Sequence, residues 1–311
     1  MAPESRIAVV DLGTNSTRLL IADVSDEGEL TEVQRRSEVT RLGDGVDATG
    51  RLSDEAVERV LACLASYREL ADDHGAGRRI AVATSAVRDS ENGDEFQERV
   101  RSDAGFDIRT ISGDEEARLT FLGATAGHVA GPATLVVDIG GGSTEYVVGE
   151  PGSAPAFHVS TRLGSVRQTE RHLHADPPAR DELAALATAA REIIEDGVPE
   201  RVRTATEAGM AVAGTATQLA AVDQQLEHHD REKVHGYRLL LGECERILAR
   251  LAALSLAERR EVPGLDPARA PTIVAGATIM VESIRLFGLD YVEVSEADIL
   301  HGTAIESMVR P

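Results

Sequence analysis

One ten-residue plan occurs twice in the chain. Near the N-terminus Val9-Val10-Asp11-Leu12-Gly13-Thr14-Asn15-Ser16-Thr17-Arg18 runs from an apolar pair through an aspartate, an apolar residue and a glycine to a polar turn, Ser-Thr and a charge. Val136-Val137-Asp138-Ile139-Gly140-Gly141-Gly142-Ser143-Thr144-Glu145 follows the same plan. A device built twice restricts the chain to folds with two like lobes, one copy in each.

In either copy a short β-rich run delivers a carboxylate to a strand end. Glycine follows because only glycine lets backbone N–H groups converge on an anion without a Cβ in the way. A second apolar stretch comes next, Leu19-Leu20-Ile21-Ala22 in one copy and Tyr146-Val147-Val148 in the other, so each turn reads as a hairpin tip and not a helix start. A P-loop would also need a lysine after its last glycine. Alone, either aspartate would only cap a turn. Repeated before a glycine turn, Asp11 and Asp138 read as holders of a hard divalent cation, since a carboxylate repels phosphate unless a metal bridges them.

The remaining chain supports two domains. Its 311 residues allow two cores of ordinary size, and 42% hydrophobic residues with no Trp predict cores of Val, Leu, Ile and Ala. In the first half, strands at 6–11, 18–24 and 30–42 precede a helix capped by Ser53 with Val57, Val60, Leu61, Leu64, Tyr67 and Leu70 at helical spacing. A strand at 80–83, a helix through Phe96, a strand at 108–111 and a helix after Ser112 complete βββαβαβα. The second half repeats that order: strands at 135–138, 145–148 and 157–163, a helix over 180–196, a strand at 210–213 and a helix after the turn Gly214-Thr215. A polar loop over 227–235, helices over 242–254 and 270–287, a strand at 291–294 and a helix over 296–308 follow. The expected fold class is therefore α/β: two domains with mixed sheets and an interdomain cleft, spanning 1–126 and 127–295, with the C-terminal helix of 296–311 packing back on the first. Residues 127–132 are the expected crossover.

Charge narrows the partners. The net charge is -21 and Lys233 is the only lysine, which argues against nucleic acid and anionic membranes as partners. A polyanionic substrate then requires cations concentrated locally, by a metal and a few arginines. Arg88, after a strand end, is the main candidate for phosphate oxygens, with Arg18 and Arg162 behind it. Gly214, before a helix, is a further anion candidate. Glu116 stands in a helix first turn, where the dipole favours a carboxylate whatever its function. A hydrolase, however, needs a carboxylate to take a proton from water, and Glu116 and Glu145 are the candidates because their loops should meet in the cleft. His172, His174, His228 and His229 lack a third ligand at metal spacing and read as ordinary histidines. No secretory h-region or membrane span is evident, and Cys63 and Cys244 in helical patterns read as reduced, buried thiols, so a cytoplasmic location is expected.

The two turns resemble those of the actin, hexokinase and Hsp70 superfamily, whose domains are ribonuclease H-like. Asp11 to Ser16, Ala83-Thr84-Ser85-Ala86-Val87-Arg88 with Asn92, Ser112 to Ala117 and Asp138 to Glu145 together are similar to the exopolyphosphatase and guanosine pentaphosphatase family. The resemblance covers nearly the whole chain. It implies two actin-like domains and a Mg²⁺- or Mn²⁺-dependent hydrolase that removes terminal phosphate from inorganic polyphosphate, or the 5′ γ-phosphate of pppGpp. By motif, Glu116 is the implied catalytic base and Glu145 assists with water or metal. Asp11, Asp138 and Glu145 are implied metal ligands. Gly13, Thr14, Asn15, Ser16, Arg18, Arg88, Gly140, Gly141, Gly142, Ser143, Thr144 and Gly214 are the phosphate-binding expectation. The chain departs from the family at Thr14, where Ser is common, and at Ile299-Leu300-His301-Gly302, which supplies no arginine. Longer members append C-terminal domains, and the missing extension with a single lysine predicts preference for short polyphosphate. A second copy of the chain is a candidate partner. The rivals are pppGpp hydrolysis, a sugar-kinase-like phosphotransferase, and a nonenzymatic sensor of alarmone or polyphosphate.

Overall fold

The computed structural model describes residues 5–25, 29–127 and 131–309. The N-terminal residues read for a leader, positions 128–130 of the expected crossover and the last two residues lie outside the described residues. Contacts separate two compact units, Met1–Gly127 with Asp298–Pro311, and His128–Ala297.

In the first unit β1 (Ser5–Leu12), β2 (Thr17–Val24) and β3 (Leu30–Glu38) form an antiparallel meander. Then come α1 (Val46–Thr49), α2 (Asp54–Asp73), β4 (Arg78–Ala83), α3 (Ser85–Arg88) and α4 (Gly93–Arg99). A π-helical turn (Val100–Ala104), β5 (Asp107–Thr110) and α5 (Gly113–Ala124) follow. The sheet order is β3-β2-β1-β4-β5, with β4 parallel to both β1 and β5. Alternation along the strands sends Ala8, Val10, Leu12, Leu19 and Ile21 into one core with Val57, Val60 and Leu64 of α2. Ile7, Val9, Leu20 and Ala22 point to the other face. Both faces are covered, and this is why β2 reads as an unbroken apolar run. Ser53 caps α2 through the Ala56 amide at 3.3 Å, with Asp54 and Glu55 favourably placed in the first turn.

The second unit contains β6 (Thr134–Ile139), β7 (Thr144–Gly149), β8 (Phe157–Thr161), α6 (Ser165–His172), α7 (Arg180–Gly197), α8 (Glu200–Thr204) and β9 (Ala208–Val212). It continues through α9 (Ala213–Asp223), α10 (Arg231–Val234), β10 (Tyr237–Leu240), α11 (Leu241–Ala252), α12 (Leu256–Arg259), α13 (Ile273–Leu286) and β11 (Tyr291–Val294). Its sheet order, β10-β11-β9-β6-β7-β8, repeats the first with one strand added at an edge. Both units are thus mixed α/β of the actin-like kind. Helix α14 (Ile299–Val309) belongs to the first unit, where Leu300 and Ala304 complete the second face of the sheet. It crosses α5 so closely that a Cβ on Gly123 would strike the Asp298 carbonyl, and one on Gly302 the Leu119 carbonyl.

Several elements differ from the sequence expectation. Helix α6 carries Ser165, Arg167 and Gln168 on its buried side, so no apolar stripe announces it. The edge strand β10 is short and its Leu240 is exposed, which hides the period-2 signal. Gly214-Thr215 is not a turn ahead of a helix but part of the first turn of α9, after Ala213 at φ 61°. Cys63 and Cys244 are buried, free thiols. No described helix is long and apolar enough to cross a membrane.

Candidate active site

The two repeated turns close in the same way. Gly13 donates its amide to the Ser16 carbonyl at 3.1 Å, and Gly140 to that of Ser143 at 3.0 Å. A Cβ on Gly13 would come within 3.0 Å of that Ser16 oxygen, so the first position of the turn favours glycine. Strand pairing is also the same: Asp11 faces Arg18 across β1 and β2, and Asp138 faces Glu145 across β6 and β7. Directly opposed residues of an antiparallel pair share a face of the sheet. One turn therefore carries an acid–base pair at its root, and the other carries two acids.

In the first unit Asp11 Oδ2 accepts from Arg18 Nε at 2.9 Å and Nη2 at 2.5 Å, while Oδ1 is buried with no hydrogen-bond partner among the described residues. Burial pushes the Asp11 carboxyl up from its ordinary value, against the pull of Arg18. Arg18 Nη1 also donates to Asp298 Oδ2, and Arg35 Nη2 donates to the same oxygen at 3.2 Å. Burial opposes ionisation of Asp298, yet the charges of Arg18 and Arg35 outweigh it and hold that carboxyl well below the usual carboxylate range. Arg18 is thus not placed as a phosphate ligand; two carboxylates hold its guanidinium. The turn itself is braced from outside: Thr14 Oγ1 lies 2.9 Å from Ser85 Oγ, Gly43 N donates to Thr14 O at 2.8 Å, and Arg41 N to Asn15 O at 2.9 Å.

Glu116 and Arg88, far apart in sequence, meet in the same unit. Arg88 Nη1 donates to Glu116 Oε2 at 3.1 Å and to the Ile111 carbonyl at 2.8 Å. Ser112 caps α5 through the Glu115 amide at 3.1 Å, and helical geometry then turns the two adjacent glutamates apart. Glu115 pairs outward with Arg109, whereas Glu116 is buried.

In the second unit Asp138 is 6% and Glu145 1% exposed, and Ser160 Oγ donates to Glu145 Oε1 at 2.7 Å. Two facing, buried carboxylates repel unless a cation or a shared proton lies with them. The glycine turn is gripped through its carbonyls: Ser165 N donates to Gly140 O at 2.9 Å, Val166 N to Gly141 O at 2.9 Å, and Arg167 Nε to Gly142 O at 2.8 Å. Gly164 permits this docking, because a Cβ there would run into the backbone of Gly141 and Gly142. The Thr144 hydroxyl donates to the Leu163 carbonyl, so it braces the turn and is not presented to phosphate. At Gly214 the Arg269 guanidinium fills the space where a Cβ would stand, so the glycine permits that close approach. Arg167, Gly164, Arg269, Gly43, Arg35 and Asp298 were not legible as site residues. Of these only Gly164, next to a strand end and a polar helix start, carries a local signal.

Among the described residues no three His, Cys, Asp or Glu side chains gather into a set that could hold a metal with protein donors alone. The candidate donors of each unit, the orphan oxygen of Asp11 in the first and Asp138 with Glu145 in the second, are hard carboxylates. Donors of this kind would suit Mg²⁺ or Mn²⁺.

Repetition of one strand order and one turn in both units defines a duplicated, actin-like α/β protein. Residues 20–310 match the Ppx/GppA phosphatase family, and the chain belongs to that family. Exopolyphosphatase 2 of Mycobacterium tuberculosis is 38% identical over 97% of this chain and 98% of its own. A solved exopolyphosphatase-like protein matches with a TM-score of 0.90 at 32% identity, covering 98% of this chain and 99% of that one. The Aquifex aeolicus member of the Ppx/GppA family matches at 0.82 and 30% identity, with 99% of both chains covered. The protein is accordingly a phosphatase, a hydrolase.

Proposed function

We propose that the chain is an exopolyphosphatase that hydrolyses the terminal phosphoanhydride bond of inorganic polyphosphate with Mg²⁺ or Mn²⁺. The observation that carries the reading is the opposition of Asp138 and Glu145 beside the glycine turn 140–142. The M. tuberculosis relative, named an exopolyphosphatase over nearly its full length, supports the substrate class. Asp138 and Glu145 would hold the cation, and in the first unit the orphan oxygen of Asp11 is a carboxylate donor that would take a cation or its water. The bound ion would neutralise phosphoryl oxygens and stabilise their charge in the transition state.

The protein groups do the rest. In either unit the amides of the glycine turn that do not close the turn itself, as those of Gly13 and Gly140 do, would orient phosphate oxygens. Arg88 uses one nitrogen for Glu116 and the Ile111 carbonyl, and turns the other edge of its fork to the phosphate. Glu116, fixed by that contact, aims a water at the terminal phosphorus and takes its proton as the new P–O bond forms. The bridging P–O bond breaks, and the shortened chain leaves with its electron pair. Glu116→Gln should abolish phosphate release while sparing polyphosphate binding; unchanged turnover would remove Glu116 from the mechanism.

With a net charge of -21, a long polyanion meets more repulsion from the chain than a short one, and short chains should turn over better than long ones. Phosphate release from short polyphosphate, long polyphosphate and pppGpp tests this together with the substrate. Steeply rising turnover on long polymer contradicts the preference, and faster release from pppGpp contradicts the substrate. The free, buried thiols of Cys63 and Cys244 support a reducing, cytoplasmic setting.

A further inference from the structure

Arg18 needs only Asp11 to satisfy its charge, yet it is held by a second carboxylate that arrives from 280 positions further along the chain. Asp298 stands directly before α14. Its Oδ1 accepts the Leu300 amide at 3.0 Å, which fixes the carboxylate to the helix start. Its Oδ2 receives both Arg18 Nη1 and Arg35 Nη2. Helix α14 cannot drift, because Gly123 and Gly302 let it approach α5 backbone to backbone and Arg118 of α5 pairs with Glu306.

The consequence falls on Asp11. An arginine fork facing a lone carboxylate prefers to engage both oxygens side by side. Here the fork is drawn toward Asp298, so its Nε and Nη2 both go to Oδ2 of Asp11 and Oδ1 stays without a partner. We propose that Asp298 is a positioning residue: by holding Arg18 from the far side, it keeps one oxygen of Asp11 open for the metal or its water. This rests on the reading of Asp11 as a metal-holding carboxylate.

The test is a Mn²⁺ titration of the full chain followed by electron paramagnetic resonance, in the presence of inorganic phosphate, with thermal unfolding recorded for each variant. Loss of an outer partner of a metal-holding group weakens the metal by about ten- to a hundredfold, and Asp298→Asn should fall in that range. Asp298→Glu should recover part of the affinity. Arg35→Met removes the second guanidinium on Asp298 but leaves Arg18 bridged, and should bind Mn²⁺ as wild type does. If Asp298→Asn does not fold, Arg18→Lys replaces it, since a single ammonium keeps the charge without the fork and should weaken Mn²⁺ in the same way. Asp11→Asn separates the two layers of the argument. If it weakens Mn²⁺ while the Asp298 or Arg18 variant binds normally, the positioning role fails and the metal reading stands. Should Asp11→Asn itself bind normally, both fail.

Discussion

Arg18 and Glu145 hold the same register position in their units, opposite Asp11 and Asp138, but carry opposite charge. The turns above them close with matching hydrogen bonds, and both following threonines brace their turns, Thr17 against Thr40 and Thr144 against the Leu163 carbonyl. What differs is how the aspartate is compensated. In the first unit the compensating cation is a side chain, locked by Asp298 and Arg35. In the second, a second buried acid, Glu145, stands opposite the aspartate, and Ser160 Oγ donates to it. The scaffold is the same in both units, while the residue opposite the aspartate differs, a guanidinium in one and a second carboxylate in the other.

The contrast can be attacked directly. Glu145→Arg would give Asp138 the partner that Asp11 already has, and removes several kcal/mol of metal-derived stabilisation of the transition state. Turnover should fall by roughly three orders of magnitude or more. Metal-dependent phosphate release surviving in that variant would break the comparison. The reciprocal change, Arg18→Met, leaves Asp11 and Asp298 buried without their shared cation. Breaking a buried ion pair destabilises by about 3–5 kcal/mol, which urea unfolding would read. Glu145→Gln should behave in the opposite sense, inactive yet no less stable, because it relieves repulsion.

Smaller effects sharpen the picture. Gly164→Ala forces α6 away from the backbone of Gly141 and Gly142 and should cost about 1–3 kcal/mol in unfolding free energy. Gly43→Ala in the first unit meets only the Thr14 side chain and its neighbours, and should cost less. The pH dependence of stability gives the smallest signal. Because the Asp298 carboxyl is lowered from 3.8, its contribution is present above that value and lost as pH falls below it. Asp298→Asn should flatten the acid-side decline in unfolding free energy, and an unaltered slope would mean Asp298 is not a charged partner in the fold.

Much of this was legible in the sequence because it is local. Glycine after an apolar strand, with Ser-Thr following, specifies a hairpin tip wherever it occurs, and Ser53 and Ser112 announce the starts of α2 and α5 by capping alone. Glu116 and Arg88 stand out by motif. The actual partners of Arg18 were not legible, since Asp298 has no local pattern and meets Arg18 only through the packing of the last helix. Polar burial misled in the same way: α6 is held by backbone contacts to a glycine turn and by Arg167, so hydrophobic periodicity, the main signal for a helix, is absent. The Thr144 hydroxyl looked like a phosphate ligand from its neighbours in sequence, and only the contact to Leu163 shows that it braces the turn; the approach of Arg269 to Gly214 has no local signal either.

The most direct test of the account is phosphate release from a short polyphosphate, measured for wild type and Glu145→Gln with Mg²⁺ and with chelator. Wild type should release phosphate only with the metal, and Glu145→Gln should release almost none in either condition. Release by wild type that persists in chelator, or full metal-dependent activity in Glu145→Gln, would contradict the assignment of the opposed acidic pair as the metal site.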